Sequence, residues 1–258
     1  MRRTLPVLVT LLAGLSLVQA GGIAWHEGDV TSAFELAREE DKPIFLYWGA
    51  VWCPPCNQIK KTIFTQREFI EKSKLFVPVY LDGDTERAQV WGEKLDVWGY
   101  PTMLVMSPEG REIMRMPTGL QLRAFNRVLD EAMARLTPID EVLEVTLSAD
   151  DPDSIPEDAY RLLAYYSWAQ NRQLDFSASE QEENFRRLAA RVPLSLPEEG
   201  SRLYLLWLKS AISLAAEEPE RGHKRFKLTK DQRATADRRL REIMESPDLL
   251  LVNLEFLT

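Results

Sequence analysis

Cys53 and Cys56 are the only cysteines among 258 residues, and Pro54 and Pro55 are all that separates them. Trp52 precedes the pair. The apolar run Pro43-Ile44-Phe45-Leu46-Tyr47-Trp48 reads as a buried strand, and Asn57 to Phe64 reads as a helix. A C-x-x-C pair at a strand-to-helix junction has the layout of a thiol–disulfide site. The nucleophile is the thiolate, and a free cysteine at pKa ~8.5 is mostly protonated at neutral pH, whereas a helix start or a C-x-x-C motif lowers this to roughly 3.5–7.5. Cys53 falls at the helix start, where unpaired N–H groups favour negative charge. Proline suits a first helical turn and stiffens the loop between the sulfurs. Cys56, a turn further in, is placed to resolve a mixed disulfide on Cys53. Two other uses of the pair stay open, a static structural disulfide and half of a metal site. A tetrahedral zinc site needs four ligands, and only His26 and His223, far apart in the chain, are on offer as histidines. Both histidines read as surface or structural residues, and neither a metal nor an organic cofactor is expected.

The rest of the composition is that of an ordinary globular protein, 45% hydrophobic and 28% charged, with length for two modest domains. The formal net charge of -8 gives nucleic acid no footing. Residues 1–20 read as a secretory signal peptide. Arg2 and Arg3 form the basic start, Leu5 to Val18 the apolar stretch, and Val18-Gln19-Ala20 the small-residue cleavage site. An uncleaved anchor is the alternative. Cleavage removes two arginines and takes the net charge from -8 to -10. The mature protein is then expected in the periplasm, where disulfides persist.

Beyond the leader, Asp29 is placed to cap a helix carrying Val30, Ala33, Phe34 and Ala37 at helical spacing. The strand before the cysteines, the cysteine helix and a helical piece at 66–74 follow. A strand is expected at Phe76–Leu81, although Pro78 fits a central strand poorly. Next come a helix at Thr85–Leu95, a strand at Met103–Met106, a Ser107-Pro108-Glu109-Gly110 turn, a strand at Glu112–Met116 and a helix ending at Leu136. A βαβ unit followed by a ββα unit closes one sheet with helices on both faces.

Trp52-Cys53-Pro54-Pro55-Cys56, then Gly99-Tyr100-Pro101-Thr102 before a strand, then the Pro-x-Gly turn, resemble the thioredoxin family, above all the thioredoxin-like proteins of the bacterial envelope. The resemblance covers about residues 23–136. It implies an α/β thioredoxin-like fold, a central mixed sheet flanked by helices, over 21–137. It implies that Cys53 attacks and Cys56 resolves. Pro101 matches the family's cis-proline, which lies against the dithiol and lets neighbouring backbone pair with an extended client. Trp52, Tyr100 and Thr102 are the implied client-binding residues around it. At one position the pattern departs: six residues before the first cysteine, where thioredoxins often bury an acid, stands Tyr47, and a phenol is no base near pH 7.

Thr137-Pro138 marks the expected domain boundary, and 138–258 is expected to be a smaller all-α domain, tetratricopeptide-like in its helix pairs though without a fixed repeat. Ser148–Asp158, acidic and proline-containing, reads as a linker. Helices are expected near Tyr160–Trp168, Phe185–Val192, Leu203–Ala216 and Lys230–Ser246, and the basic stretch Arg221–Lys230 reads as solvated. Leu249–Leu257 is apolar and should pack within this half or in a dimer. The leading functional expectation is an envelope thiol–disulfide oxidoreductase that reduces client disulfides and is itself kept reduced by a membrane or periplasmic electron donor. Oxidation and isomerisation remain open as directions. The competing expectation is a non-catalytic module, either gripping clients or holding copper(I), which soft thiolates favour.

Overall fold

The computed structural model describes residues 22–171, 174, 176–216 and 230–257. The proposed leader and His223 lie outside the described residues, as does nearly all of the basic stretch 221–230.

Helix α1 (Val30–Glu40) opens the fold. Asp29 caps it by accepting from the Ser32 amide, and Asp41, with φ at 52°, ends it in the left-handed region. Strand β1 (Ile44–Gly49) is buried at every position and forms the centre of the sheet. The chain then enters α2 (Pro54–Ile59), runs on through a π turn at Lys60–Phe64, and folds into α3 (Arg67–Lys72). Strand β2 (Val77–Asp82) returns parallel to β1, with Ile44 opposite Val77 and Gly49 opposite Asp82. Helix α4 (Glu86–Lys94), capped by Thr85, leads to β3 (Thr102–Met106), antiparallel to β1. The 107–110 turn then gives β4 (Glu112–Arg115). The sheet order is β2-β1-β3-β4, and α5 (Leu122–Arg135) completes the unit. The expected mixed sheet and its order of elements are both present.

The awkward proline of β2 has a simple answer. β2 is an outer strand. The Val77 amide points inward, to the Pro43 carbonyl, so alternation turns residue 78 outward. A proline there removes no ladder bond, and its carbonyl accepts from the His26 amide at 2.8 Å.

The second half is helical, as expected, and its first helix comes earlier than the one expected near Tyr160. Helix α6 (Ile139–Ser148) follows Pro138 directly and buries Ile139, Val142 and Leu143. The segment read as a linker, 148–158, contains a 3-10 turn and buries Ile155. Then come α7 (Glu157–Tyr165), a 3-10 turn at Trp168–Gln170, α8 (Ala178–Arg191) behind a Ser177–Glu180 capping box, and α9 (Pro197–Ala216). Helix α9 starts six residues before the expected Leu203, because Pro197 and two glutamates extend its first turn. No helix among the described residues is long and apolar enough to cross a membrane. Helices α10 (Lys230–Glu245), α11 (Pro247–Val252) and α12 (Leu254–Leu257) finish the chain. Part of the apolar terminus packs within this half, while Leu251 and Leu254 stay exposed. Asn253 is fully buried, donating to Ser201 Oγ and to the Leu249 carbonyl, and the Arg202 guanidinium lies 5.1 Å from the Phe256 ring centre.

Two apolar clusters fill the molecule. One lies between α1, α4 and a face of the sheet. The larger starts at the cysteines and Phe45, runs through Phe125 and Leu129 of α5, and continues into Leu143, Leu163, Phe185 and Leu203 of the helical half. Ion pairs flank this shared core: Arg127 with Glu198, and Arg161 with both Glu131 and Glu199.

Candidate functional site: the dithiol and the loop facing it

Cys53 is the N-cap of α2. Its Sγ accepts from the Cys56 amide at 3.2 Å, and its carbonyl accepts from the Asn57 amide at 3.1 Å. The two cysteines are disulfide-bonded, with Cα atoms 5.3 Å apart. Cys56 is fully buried, and Cys53 retains only 3% of its surface. The amide that donates to Cys53 Sγ would favour a thiolate on that atom after reduction, since a hydrogen bond to the charged form stabilises it. No comparable donor reaches the Cys56 sulfur among the described hydrogen bonds.

Register brings the second part of the site to the same end of the sheet. Thr102 pairs with Trp48, so the residues just before β3 lie beside the end of β1, where the cysteine loop begins. The Tyr100–Pro101 bond is cis. Tyr100 stacks on Trp48 at 4.5 Å and takes Trp52 edge-on at 5.4 Å. Trp52 is exposed, and its indole N–H donates to both oxygens of the Asp84 carboxylate, at 2.9 and 3.0 Å. The loop 82–84 packs here because the Gly83 amide donates to the Gly49 carbonyl, and the Tyr100 ring occupies the space that a side chain at 83 would need. Thr102 is buried, and its hydroxyl donates to the Gly99 carbonyl at 2.8 Å, bracing the loop. The six residues singled out from sequence thus lie on two adjoining segments.

Tyr47, in the position of the family's buried acid, is 1% exposed, and burial pushes its phenol well above the usual range. Its ring stacks on Tyr80 at 5.4 Å, with the Lys60 ammonium 5.8 Å from its centre, and its hydroxyl has no hydrogen-bond partner. It supplies no base to the dithiol. His26, expected to be structural, shares a 2.8 Å hydrogen bond with Ser32.

Three contributors were missed from sequence. Asp84 was read only as part of a turn. Gln170, from the helical half, donates to the Pro101 carbonyl at 3.2 Å. Arg115, fully buried, donates to the carbonyls of Leu95 and Asp96, both at 3.1 Å, just ahead of the cis-proline loop. No local pattern marks either Gln170 or Arg115, because their partners lie 69 and about 20 residues away along the chain.

The family model of the thioredoxin-like domain matches residues 30–133. The thioredoxin-related protein DsbJ of Chlamydia pneumoniae is 30% identical over 133 residues, which are 44% of this chain and 38% of that protein. The chain thus matches well under half the length of that relative. A thioredoxin H-type protein of Brassica campestris is 30% identical over 102 residues, 38% of this chain and 78% of that one. Among solved structures, one described as DsbH oxidoreductase superposes with a TM-score of 0.42 at 20% identity, over 49% of this chain and 95% of that one. With a relative matched at this identity over most of its length, and with the sheet order and cysteine placement described above, the chain belongs, through its N-terminal half, to the thioredoxin-like family.

Proposed function

We propose that the protein is a thiol–disulfide oxidoreductase of the cell envelope that reduces client disulfides through Cys53 and Cys56. The observation that carries this reading is the placement of the only cysteine pair at a helix start, at disulfide distance, with a backbone amide already aimed at the first sulfur. Cys53 attacks a client disulfide, the mixed disulfide forms, and Cys56 releases the reduced client. Pro101 holds the loop against which the client chain pairs. Trp52 and Tyr100 wall that loop, and Thr102 acts by bracing it from within. A membrane or periplasmic electron donor returns the pair to the dithiol. The same proposal takes 1–20 as a signal peptide, 21–137 as the catalytic domain and 138–258 as a helical domain with tetratricopeptide-like pairing.

The test is direct. Catalytic reduction of a protein disulfide is expected to vanish in Cys53→Ser, while Cys56→Ser should accumulate mixed disulfides in periplasmic extract, because resolution is lost. Stoichiometric metal retention without turnover would replace the proposal with the binding-module reading. The equilibrium reduction potential of the pair decides direction: a value near or below about -270 mV, in the range of reducing thioredoxins, fits reduction, and one near -120 mV reverses it.

A further inference from the structure

The cis-proline loop is held from two sides, and one of them belongs to the helical half. Gln170 closes the 3-10 turn at Trp168–Gln170, and its side-chain amide donates to the Pro101 carbonyl at 3.2 Å. A carbonyl only accepts, so the nitrogen of that amide must face it. The amide's own oxygen is engaged in turn, accepting from the Ser167 hydroxyl at 3.1 Å, which fixes the orientation. The turn itself is anchored to the sheet. The Ser167 amide donates to the Arg115 carbonyl at 2.9 Å, and the Arg115 guanidinium donates to the Gln170 backbone carbonyl. That guanidinium also holds Leu95 and Asp96, so the same buried cation fixes the approach to the loop and the turn that bonds it. Glu112 keeps the guanidinium in place with a two-point pair at 2.8 and 2.9 Å.

From this geometry we infer that Gln170 is a positioning residue for client exchange, contributed by the helical half to the loop of the catalytic half. This rests on the proposed function. In the exchange, the Cys53 thiolate displaces one sulfur of a client disulfide. The Cys56 thiolate then attacks Cys53 Sγ, forming the Cys53–Cys56 disulfide and releasing the other client sulfur as a thiolate. The protein dithiol is oxidised, the client disulfide is reduced by two electrons, and the thiol protons end on the two client sulfurs. Gln170 touches none of the reacting atoms. It sets where the Pro101 backbone lies, and with it the register of a client chain paired beside that loop.

The experiment is single-turnover exchange between pre-reduced full-length protein and a synthetic extended peptide disulfide, at pH 7.5 and at pH 4.5. Gln170→Glu carries the readout. At the higher pH a carboxylate faces the Pro101 carbonyl and repels it. At about pH 4.5, close to the usual glutamate value of about 4.3 and below the value expected for one facing a carbonyl, the protonated acid can donate as the amide did. The second-order rate relative to wild type is expected to be down about fivefold at the higher pH, the order of one lost hydrogen bond, and to return most of the way to wild type at the lower. Gln170→Ala, which removes the donor and adds no charge, should be slower than wild type at both. Equal ratios for Gln170→Glu at the two pH values, or wild-type rates for Gln170→Ala, overturn the inference. Wild-type protein that exchanges with no peptide disulfide fails the proposed function itself, and the inference with it. Should Gln170→Glu not fold, the Gln170→Ala rate alone decides.

Discussion

Tyr47 brings an unpaired hydroxyl into the core beside the cysteine loop. Such a group is desolvated on folding with nothing returned, at a cost of about 1–3 kcal/mol. Tyr47→Phe is therefore expected to leave urea stability unchanged or raise it by about 1 kcal/mol, and to leave the exchange rate as it is, since the hydroxyl relays no proton to the cysteines. A slower Cys56 step in this variant would show that the phenol acts after all. The same burial has a pH consequence. Tyr47, Tyr165 and Tyr166 all have phenols raised above their ordinary value, chiefly by desolvation. In the unfolded chain these groups lose protons near pH 10, while the folded protein keeps them. The unfolded state then binds fewer protons, so stability should hold level up to about pH 10 and fall above it. Denaturant melts across pH 8–11 check the sign, and Tyr47→Phe should soften the fall. At this scale the sequence was informative about the cysteines, whose meaning lies in local spacing. It was silent about Gln170 and Asp84, whose meaning lies in what the fold brings to them.

Among the elements, β4 depends most on one side chain. Arg115 has no exposed surface, and its donors are shared among Glu112, Leu95, Asp96 and Gln170. Arg115→Met removes the cation and leaves the partly buried Glu112 carboxylate and three carbonyls short of a partner. A loss of about 3–5 kcal/mol in urea unfolding is expected, the scale of a broken buried pair. Replacing Glu112 with Leu in the same protein should recover part of it, because no unpaired charge then remains; a double variant no more stable than Arg115→Met would contradict that account. The helices show where periodicity reads well and where it does not. α5 carries Phe125, Val128, Leu129 and Ala132 at helical spacing on a broad buried face, and it was legible. α6 was not, because Thr137-Pro138 was read only as a break between domains. Here Pro138 stands immediately before the helix, and Asp140 and Glu141 occupy its first turn, where both proline and negative charge are favoured. The start signal was taken for a stop.

At the scale of the whole molecule, the large apolar cluster crosses residue 137 without a break, from the cysteines to Leu203. The sequence reading set a domain boundary at Thr137-Pro138, since nothing in a one-dimensional pattern says which apolar faces meet. The packing gives a fragment of residues 21–137 a cost. Losing the packing of α7 on α5 should make it at least about 3 kcal/mol less stable than the intact protein, the worth of one or two buried side chains. Hydrophobic-dye binding and urea unfolding of the fragment check this, and an equally stable fragment that binds no dye would show the halves to be independent. The same arrangement bears on how the protein meets other chains. A sheet's outer strands offer rows of unpaired backbone groups on which a foreign strand can nucleate. Here one border carries a proline whose carbonyl is taken by His26, and the other is met by the Ser167 segment. A protein whose proposed work brings it against partly unfolded clients has its lateral borders interrupted against templated aggregation, which confines client pairing to the cysteines and the loop beside them.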